Sequence, residues 1–431
     1  MTLPVINAGL LFILKASTSQ ATPPAPDRDP SSTRGCGKQA GYATSRALIL
    51  LASLLILPAC KKESPPEVEP AASPVQATKP ITPDWPITRG GPALQGRVHA
   101  PVPQSPAIDW TYDLEAPAMA EATVAEQHLV VGDIMGLVHC LDLETRKLLW
   151  SHETDDTIQA APALSNNRVF VGSGDNTFLA LDLKTGDELW SIQGDEKFPS
   201  APVVTSSADG KSEWVLVNGY DGIARCLDAS NGEAVWSYKT DNYINGTPAI
   251  IDETHVAFGG CDKVIHVIKL SDGTLTNEVT TDAEIISSVA TFGKIIYCTT
   301  YAHQLVATLA DGDSLDWIYE AEDFPFSSAP AINEQVGHVY VGSKDKHLHA
   351  VDTTTGELLW RFRTGGPVES SPLVFDDAIV FGSNDGRLYA VTFEGKELWT
   401  LDLGEKLSAP AIFAQNRLIV TGAKGTVFVI K

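Results

Sequence analysis

The sequence predicts an all-β fold, an eight-bladed β-propeller of four-stranded antiparallel blades, on three observations. A unit of about 40 residues recurs across residues 109–431, the period of repeats that each bury one face on the next. Within a unit the apolar residues alternate with a period of two, as half-buried strands require, and not of 3.6. The repeat is also out of phase with the chain. Ile108-Asp-Trp-Thr-Tyr112 reads as a fourth strand with no blade before it, and Lys431 falls on a third strand with no fourth after it. Pairing this N-terminal strand with the C-terminal blade closes the ring and covers an edge that an open array would leave bare.

The second copy illustrates the four strands in order. Ala160-Ala-Pro-Ala-Leu164 opens the first, Arg168-Val-Phe-Val-Gly172 is the second, Phe178-Leu-Ala-Leu-Asp182 the third, and Glu188-Leu-Trp190 leads the fourth. Second-strand signatures recur at 130–132, 170–172, 216–219, 257–259, 296–298, 340–342, 380–382 and 420–422, which makes eight. Gly186, Gly232, Gly273, Gly356 and Gly395 lie four residues before the end of their copies, where a tight turn needs positive φ. Arg146 and Asp313 stand there in two other copies, so those two turns are expected to differ.

Trp110, Trp150, Trp190, Trp236, Trp317, Trp360 and Trp399 end seven copies, and Asn277 takes that place in a degenerate eighth. Even spacing around a ring makes them blade-docking residues. Each is expected on an outer strand, packed over small residues of the next blade with its N–H on a backbone acceptor. The small-residue and Pro strand starts at 161–162, 201–202, 247–248, 329–330, 371–372 and 409–410 suit a crowded central channel.

Upstream of the repeats, residues 1–59 read as an N-terminal extension ending in a secretory signal. Residues 47–59 (ALILLASLLILPA) form a thirteen-residue apolar run after Arg46, too short for a membrane-spanning helix and suited to an h-region. Leu57-Pro58-Ala59-Cys60 is similar to a bacterial lipobox, which makes Cys60 the lipid-attachment residue of an exported lipoprotein. Residues 60–107 are rich in Pro, Glu, Ala and Ser and read as a flexible tether. Residues 108–431 form the propeller.

Charge narrows the partners. The chain carries −23, and the part after residue 60 holds 26 basic against 52 acidic residues, a net −26. Such a surface repels phosphate backbones, so nucleic acid is excluded as a partner. No nucleophile elbow, phosphate loop or CxxC pair is present. His139, His266 and His349 share one repeat position on three separate blades, and His347 with His349 offers two ligands on one strand face without a third. The expectation is no catalytic residue, no cofactor and no metal site. Cys140 and Cys226 sit at core positions, while Cys261 and Cys298, on neighbouring blades, leave open either a disulfide or two free thiols.

The copies at 180–190 and 350–360 resemble the tryptophan-docking repeat of the PQQ-like propellers, A-x-D-x-x-T-G-x-x-x-W, over roughly three quarters of the chain. Quinoprotein dehydrogenases of that class hold their quinone against adjacent cysteines within long insertions. None of the six cysteines is adjacent to another, and the repeats are near minimal length. An acidic lipidated propeller of this kind is similar to the BamB family of accessory lipoproteins. That resemblance implies a non-catalytic scaffold on the periplasmic side of the outer membrane. Its partners would be the central barrel subunit of the assembly machinery and nascent outer-membrane proteins, met through the inter-blade segments at 155–159, 197–200, 241–246, 283–287, 323–327, 365–369 and 405–408. Asp84-Trp-Pro-Ile-Thr-Arg-Gly-Gly-Pro92 resembles a W-P-x-x-R-G lead-in found on other PQQ-like repeat proteins. It leaves open a scaffold for other partners, or a propeller that binds a quinone or other ligand.

Overall fold

The computed structural model describes residues 84–207, 209–321 and 324–431. The apolar run at 47–59, Cys60 and the tether as far as residue 83 lie outside the described residues. From residue 108 onward the chain forms eight four-stranded antiparallel sheets. In the second blade the strands are Ala163–Ser165, Arg168–Gly172, Thr177–Asp182 and Glu188–Gln193. Burial grades along that order. The third strand is buried at four successive positions, while the fourth alternates between exposed and half-buried. First strands of successive blades touch one another, so they line the centre and the fourth strands form the rim.

The ring closes as the phase of the repeat requires. Ile108–Asp113 pairs antiparallel with Thr426–Ile430, placing Trp110 opposite Val429 and Tyr112 opposite Val427. Ala107 and Lys431 exchange backbone hydrogen bonds of 2.8 and 2.9 Å beyond the end of that ladder. Asp109 accepts Lys431 Nζ at 2.7 Å and Arg146 at 3.1 Å.

Turn chemistry decides where the indoles sit. In the second blade Gly186, at φ +76°, donates its N–H to Asp182 O at 2.8 Å, and the bare Cα lies beneath the Trp150 ring of the preceding blade. The Asp182 carboxylate holds the turn by accepting the N–H groups of Lys184 and Thr185. Arg146 was expected to break this pattern and does not. Its φ is +63° and its N–H bonds Asp142 O at 2.8 Å, because Asp142 accepts Glu144 and Thr145 in the same way. The turn at Asp313 does differ. Leu309 replaces the capping Asp, Gly312 closes a shorter turn on Leu309 O at 3.0 Å, and the strand pair that follows lacks the bulge found in the second blade.

Residues 84–107 correct the tether boundary. Their composition reads as solvated, yet Trp85, Leu94, Val98 and Val102 are buried. Trp85 exchanges backbone hydrogen bonds with Val124 in the first blade. The segment then meets first strands at Leu164, Ile250, Thr291, Ile332 and Val374, crossing the centre of the ring as a plug. The physical reason is that Pro and Gly serve a kinked interior path as well as a solvated one. Gly90 (φ +81°) passes beneath the Trp85 ring, where no side chain would fit.

Candidate functional site

Strand alternation divides the turns between two faces. The inter-blade segments and the turns between second and third strands share one face; the remaining turns and the entry of the plug share the other. The first of these faces is held rigidly. Thr154, Thr240, Thr281 and Thr364 each directly follow a fourth strand, and each hydroxyl lies within hydrogen-bond distance of two carbonyls, one in a turn of its own blade and one in the inter-blade segment that follows, which share its single proton.

On this face stand the half-buried Tyr220 and the exposed side chains of Tyr243, Tyr301 and Phe324. Tyr220, in a turn of the third blade, stacks on Tyr243 of the next inter-blade segment with centroids 4.4 Å apart, and Lys197 Nζ lies 4.9 Å from the Tyr220 ring. Tyr243, Tyr301 and Phe324 are 47%, 58% and 49% exposed. Burial raises the Tyr220 hydroxyl pKa, and Cys261, Tyr243 and Tyr301 are close enough to add to the shift. Tyr220, Tyr243 and Tyr301 therefore form one group on this face, and Phe324 stands on the same face in the segment between the fifth and sixth blades, with Asp241, Asp282 and Glu284 in the other inter-blade segments. Exposed aromatics within a polar surround have the composition of a protein-docking patch. Tyr220 and Tyr301 occupy one repeat position, each two residues beyond a second strand, while Tyr243 and Phe324 fall at two others, so the repeat marks only part of the group.

At the hub, the plug carries a buried cation. Arg89 is 3% exposed and its backbone N–H donates to Glu121 Oε1 at 2.7 Å. Its Nη2 reaches Pro330 O at 3.3 Å, whereas Nε and Nη1 have no partner among the described residues. Burial lowers the Arg89 pKa to about 10 against the opposing effect of Glu121. Burial likewise raises that of Glu121, opposed first by Arg89.

The three repeat-position histidines remain apart, and each has a carboxylate. Nε2 of His139, His266 and His349 lies 2.9, 2.8 and 2.9 Å from Asp133, Asp262 and Asp345. Nδ1 of His266 and His349 meets Tyr238 and Tyr319 of the preceding blade at 3.2 and 2.8 Å, so these are latches between blades. The expectation that His347 and His349 lack a third ligand is corrected, because Asp345 joins them within 4.8 Å. The spacing Asp-x-His-x-His was the sequence signal.

The tryptophans stand at outer-strand positions. Nε1 of Trp150, Trp190, Trp236, Trp317, Trp360 and Trp399 donates to the carbonyls of Leu183, Ala229, Leu270, Thr353, Phe393 and Pro103 at 2.7–3.1 Å. Trp110 is buried without such a bond among the described residues. Asn277 donates to Ala310 O at 3.1 Å, the same turn carbonyl that an indole uses elsewhere, and to Gly312 O at 2.7 Å. A cavity of about 240 Å³ remains beside it. Cys261 and Cys298 are free thiols, as are Cys140 and Cys226. Cys261 Sγ accepts Asn245, and burial pushes the Cys298 thiol up to about 12.

Eight four-stranded blades, joined by indole-to-backbone bonds and by a strand from the opposite end of the chain, define a PQQ-like β-propeller. Within that class the chain belongs to the family described as "Beta-alanine-activating enzyme, beta-propeller", whose profile matches residues 158–431. The β-alanine-activating enzyme of Danio rerio is 33% identical over 108 residues, 22% of this chain and 9% of that enzyme. The outer membrane protein assembly factor BamB of Moranella endobia is 26% identical over 215 residues, 44% of this chain and 55% of that protein. BamB of Yersinia pestis is 34% identical over 99 residues, 21% and 24%. The chain thus spans between a tenth and about half of these relatives. Among solved structures, BamB of Moraxella catarrhalis superposes with a TM-score of 0.64 at 19% identity, over 76% of this chain and 98% of that one. A europium-containing methanol dehydrogenase gives 0.68 at 13%, over 81% and 98%. These likenesses show the fold and a BamB-like propeller; the dehydrogenase shares the architecture alone.

Proposed function

We propose that this chain is a non-catalytic, lipid-anchored scaffold of the bacterial envelope that docks protein partners on the face bearing the inter-blade segments, as a BamB-like aid to outer-membrane β-barrel assembly. The observation that carries the reading is the set of aromatic side chains, Tyr220, Tyr243, Tyr301 and Phe324, on a rigid, acid-rimmed face. Stacked, exposed rings on a preorganised surface provide anchors at low entropic cost to a partner. The plug supports the scaffold reading, since residues 85–98 run across the centre of the ring along its first strands. The partners in this reading are the central barrel subunit and nascent outer-membrane proteins.

Capture from detergent-solubilised envelope tests it. The wild-type chain is expected to retain the central barrel subunit, and Tyr243→Ser with Tyr301→Ser is expected to lose it at unchanged melting temperature. Equal recovery with the double variant would move docking off this face, and recovery of a different envelope protein would replace the assembly role with another scaffold. The Trp residues serve in this reading as rivets that hold the face flat. Cys60 is proposed as the lipid-attachment residue, so Cys60→Ala is expected to accumulate as an unprocessed, unacylated precursor; normal maturation would remove the anchor.

A further inference from the structure

Five blades place an Asp in the turn between second and third strands, or just before it, against a side chain of the third strand. The pairs are Asp133 with His139, Asp221 with Arg225, Asp262 with His266, Asp345 with His349, and Asp385 with Tyr389. Four are two-residue latches. The sixth blade alone adds a further ligating side chain on the same strand face, His347, two residues before His349. Its Nδ1 lies 3.0 Å from Asp345 O and 3.3 Å from Asp345 Oδ1, while His349 Nε2 is 2.9 Å from Asp345 Oδ2. One atom from each of the three side chains falls within 4.8 Å of the others, the single such group among the described residues.

We propose that Asp345, His347 and His349 form a binding site for a divalent transition-metal ion of the zinc type, with three protein ligands and a solvent-facing fourth position. Tetrahedral coordination at about 2.0–2.2 Å from nitrogen and oxygen ligands sets neighbouring ligand atoms about 3.3–3.5 Å apart. The His347 Nδ1 to Asp345 Oδ1 separation is already at that spacing, and His349 Nε2 stands at hydrogen-bond distance from the other carboxylate oxygen, so metal binding would exchange these contacts for coordination. Two imidazoles and one carboxylate favour zinc, copper or nickel over calcium or magnesium.

The supporting contacts are in place. The backbone N–H of His347 donates to Asp345 Oδ1 at 2.8 Å and fixes the carboxylate. Tyr319 Oη meets His349 Nδ1 at 2.8 Å and orients the ring so that Nε2 faces the site. His349 is buried, whereas the side chains of His347 and Asp345 keep 24% and 17% exposure, which provides the path of entry. Arg363 and Arg361, opposite the two histidines across the ladder, form no ion pair with Asp345 among the described residues.

The fourth blade is the natural control. It has the same Asp262–His266–Tyr238 latch, with Val264 at the place of His347. The test is titration of the metal-stripped full chain, in detergent, with zinc by calorimetry and with cobalt by visible absorbance. One equivalent is expected to bind with the d–d bands of tetrahedral cobalt. His347→Val, which gives the sixth blade the fourth blade's pattern, should keep the apo melting temperature and weaken zinc by more than about tenfold, the least seen when even a supporting residue is lost. Asp345→Asn should do likewise. Absence of stoichiometric binding to the wild-type chain, or binding undiminished in His347→Val, would overturn the assignment.

Discussion

The glycine beneath five of the docking indoles gives the sharpest test of how the blades are held. A Cβ on Gly273 would stand 2.8 Å from Cε3 and 2.9 Å from Cδ2 of Trp236, the 8%-exposed indole that donates to Leu270 O at 2.7 Å. Gly337 has the same φ of +69°, but a Cβ there would meet only Thr353 Oγ1, at 3.5 Å. Alanine at either position takes on about 1–2 kcal/mol of left-handed strain, offset by about 0.4–1 kcal/mol from the stiffer unfolded chain. Gly337→Ala is therefore expected to cost about 0–1.6 kcal/mol. Gly273→Ala adds overpacking of about 1–3 kcal/mol and strains the indole hydrogen bond, for a total of about 1–5 kcal/mol. Urea unfolding followed by far-ultraviolet circular dichroism, with an unchanged denaturant slope, measures both. Trp236→Ala should cost less in the Gly273→Ala background than in wild type, since the two changes share one contact. Equal costs for the two alanines, within about 0.5 kcal/mol, would show that the indole does not depend on a bare Cα, and the account of blade docking would fail.

Two further outcomes follow from the same geometry. Asn277→Trp alone should fail to stabilise, despite the cavity of about 240 Å³, because the turn receiving it carries Asp313; adding Asp313→Gly should raise the melting temperature above that of the single variant, and no gain would break the link between indole and glycine. At the hub, burial favours the neutral form of Glu121 and raises its pKa from 4.5. The folded-state value lies above the unfolded one, so its contribution to stability is greatest below about pH 4.5 and is lost as pH rises through the raised value. Urea midpoints measured from about pH 4 to pH 8 should fall more steeply in wild type than in Glu121→Gln; parallel profiles would mean that Glu121 titrates normally.

The architecture was legible because propeller repeats restate the same local chemistry. Gly186 and Trp190 sit four residues apart in one copy, but the glycine serves Trp150 of the blade before, so the motif records an inter-blade contact as a local spacing. What the repeat does not restate stayed hidden. Asp84-Trp-Pro-Ile-Thr-Arg-Gly-Gly-Pro92 is rich in the residues of a solvated linker, and only the closed ring provides the channel that buries Trp85 and Leu94. Tyr220, in a turn of the third blade, meets Tyr243 of the segment after it and comes near Tyr301 of the fifth only when successive blades pack. Asp345 escaped notice for the opposite reason: it is two residues from His347, yet it lies in a turn, where strand alternation does not say which way a side chain points. Arg146 shows the converse, a non-glycine held at positive φ by the carboxylate of Asp142.

The pairing of Ile108–Asp113 with Thr426–Ile430 imposes an order of events on the growing polypeptide. The strand that finishes the eighth blade is synthesised before any of the other blades and has nothing to pair with until Thr426–Ile430 has emerged. A chain interrupted within its last repeat would keep both loose ends, a waiting strand and an unfinished wedge, each with backbone groups open to another molecule. Emergence of Thr426–Ile430, and not the assembly of any single sector, is the step at which this protein stops being a hazard to its neighbours.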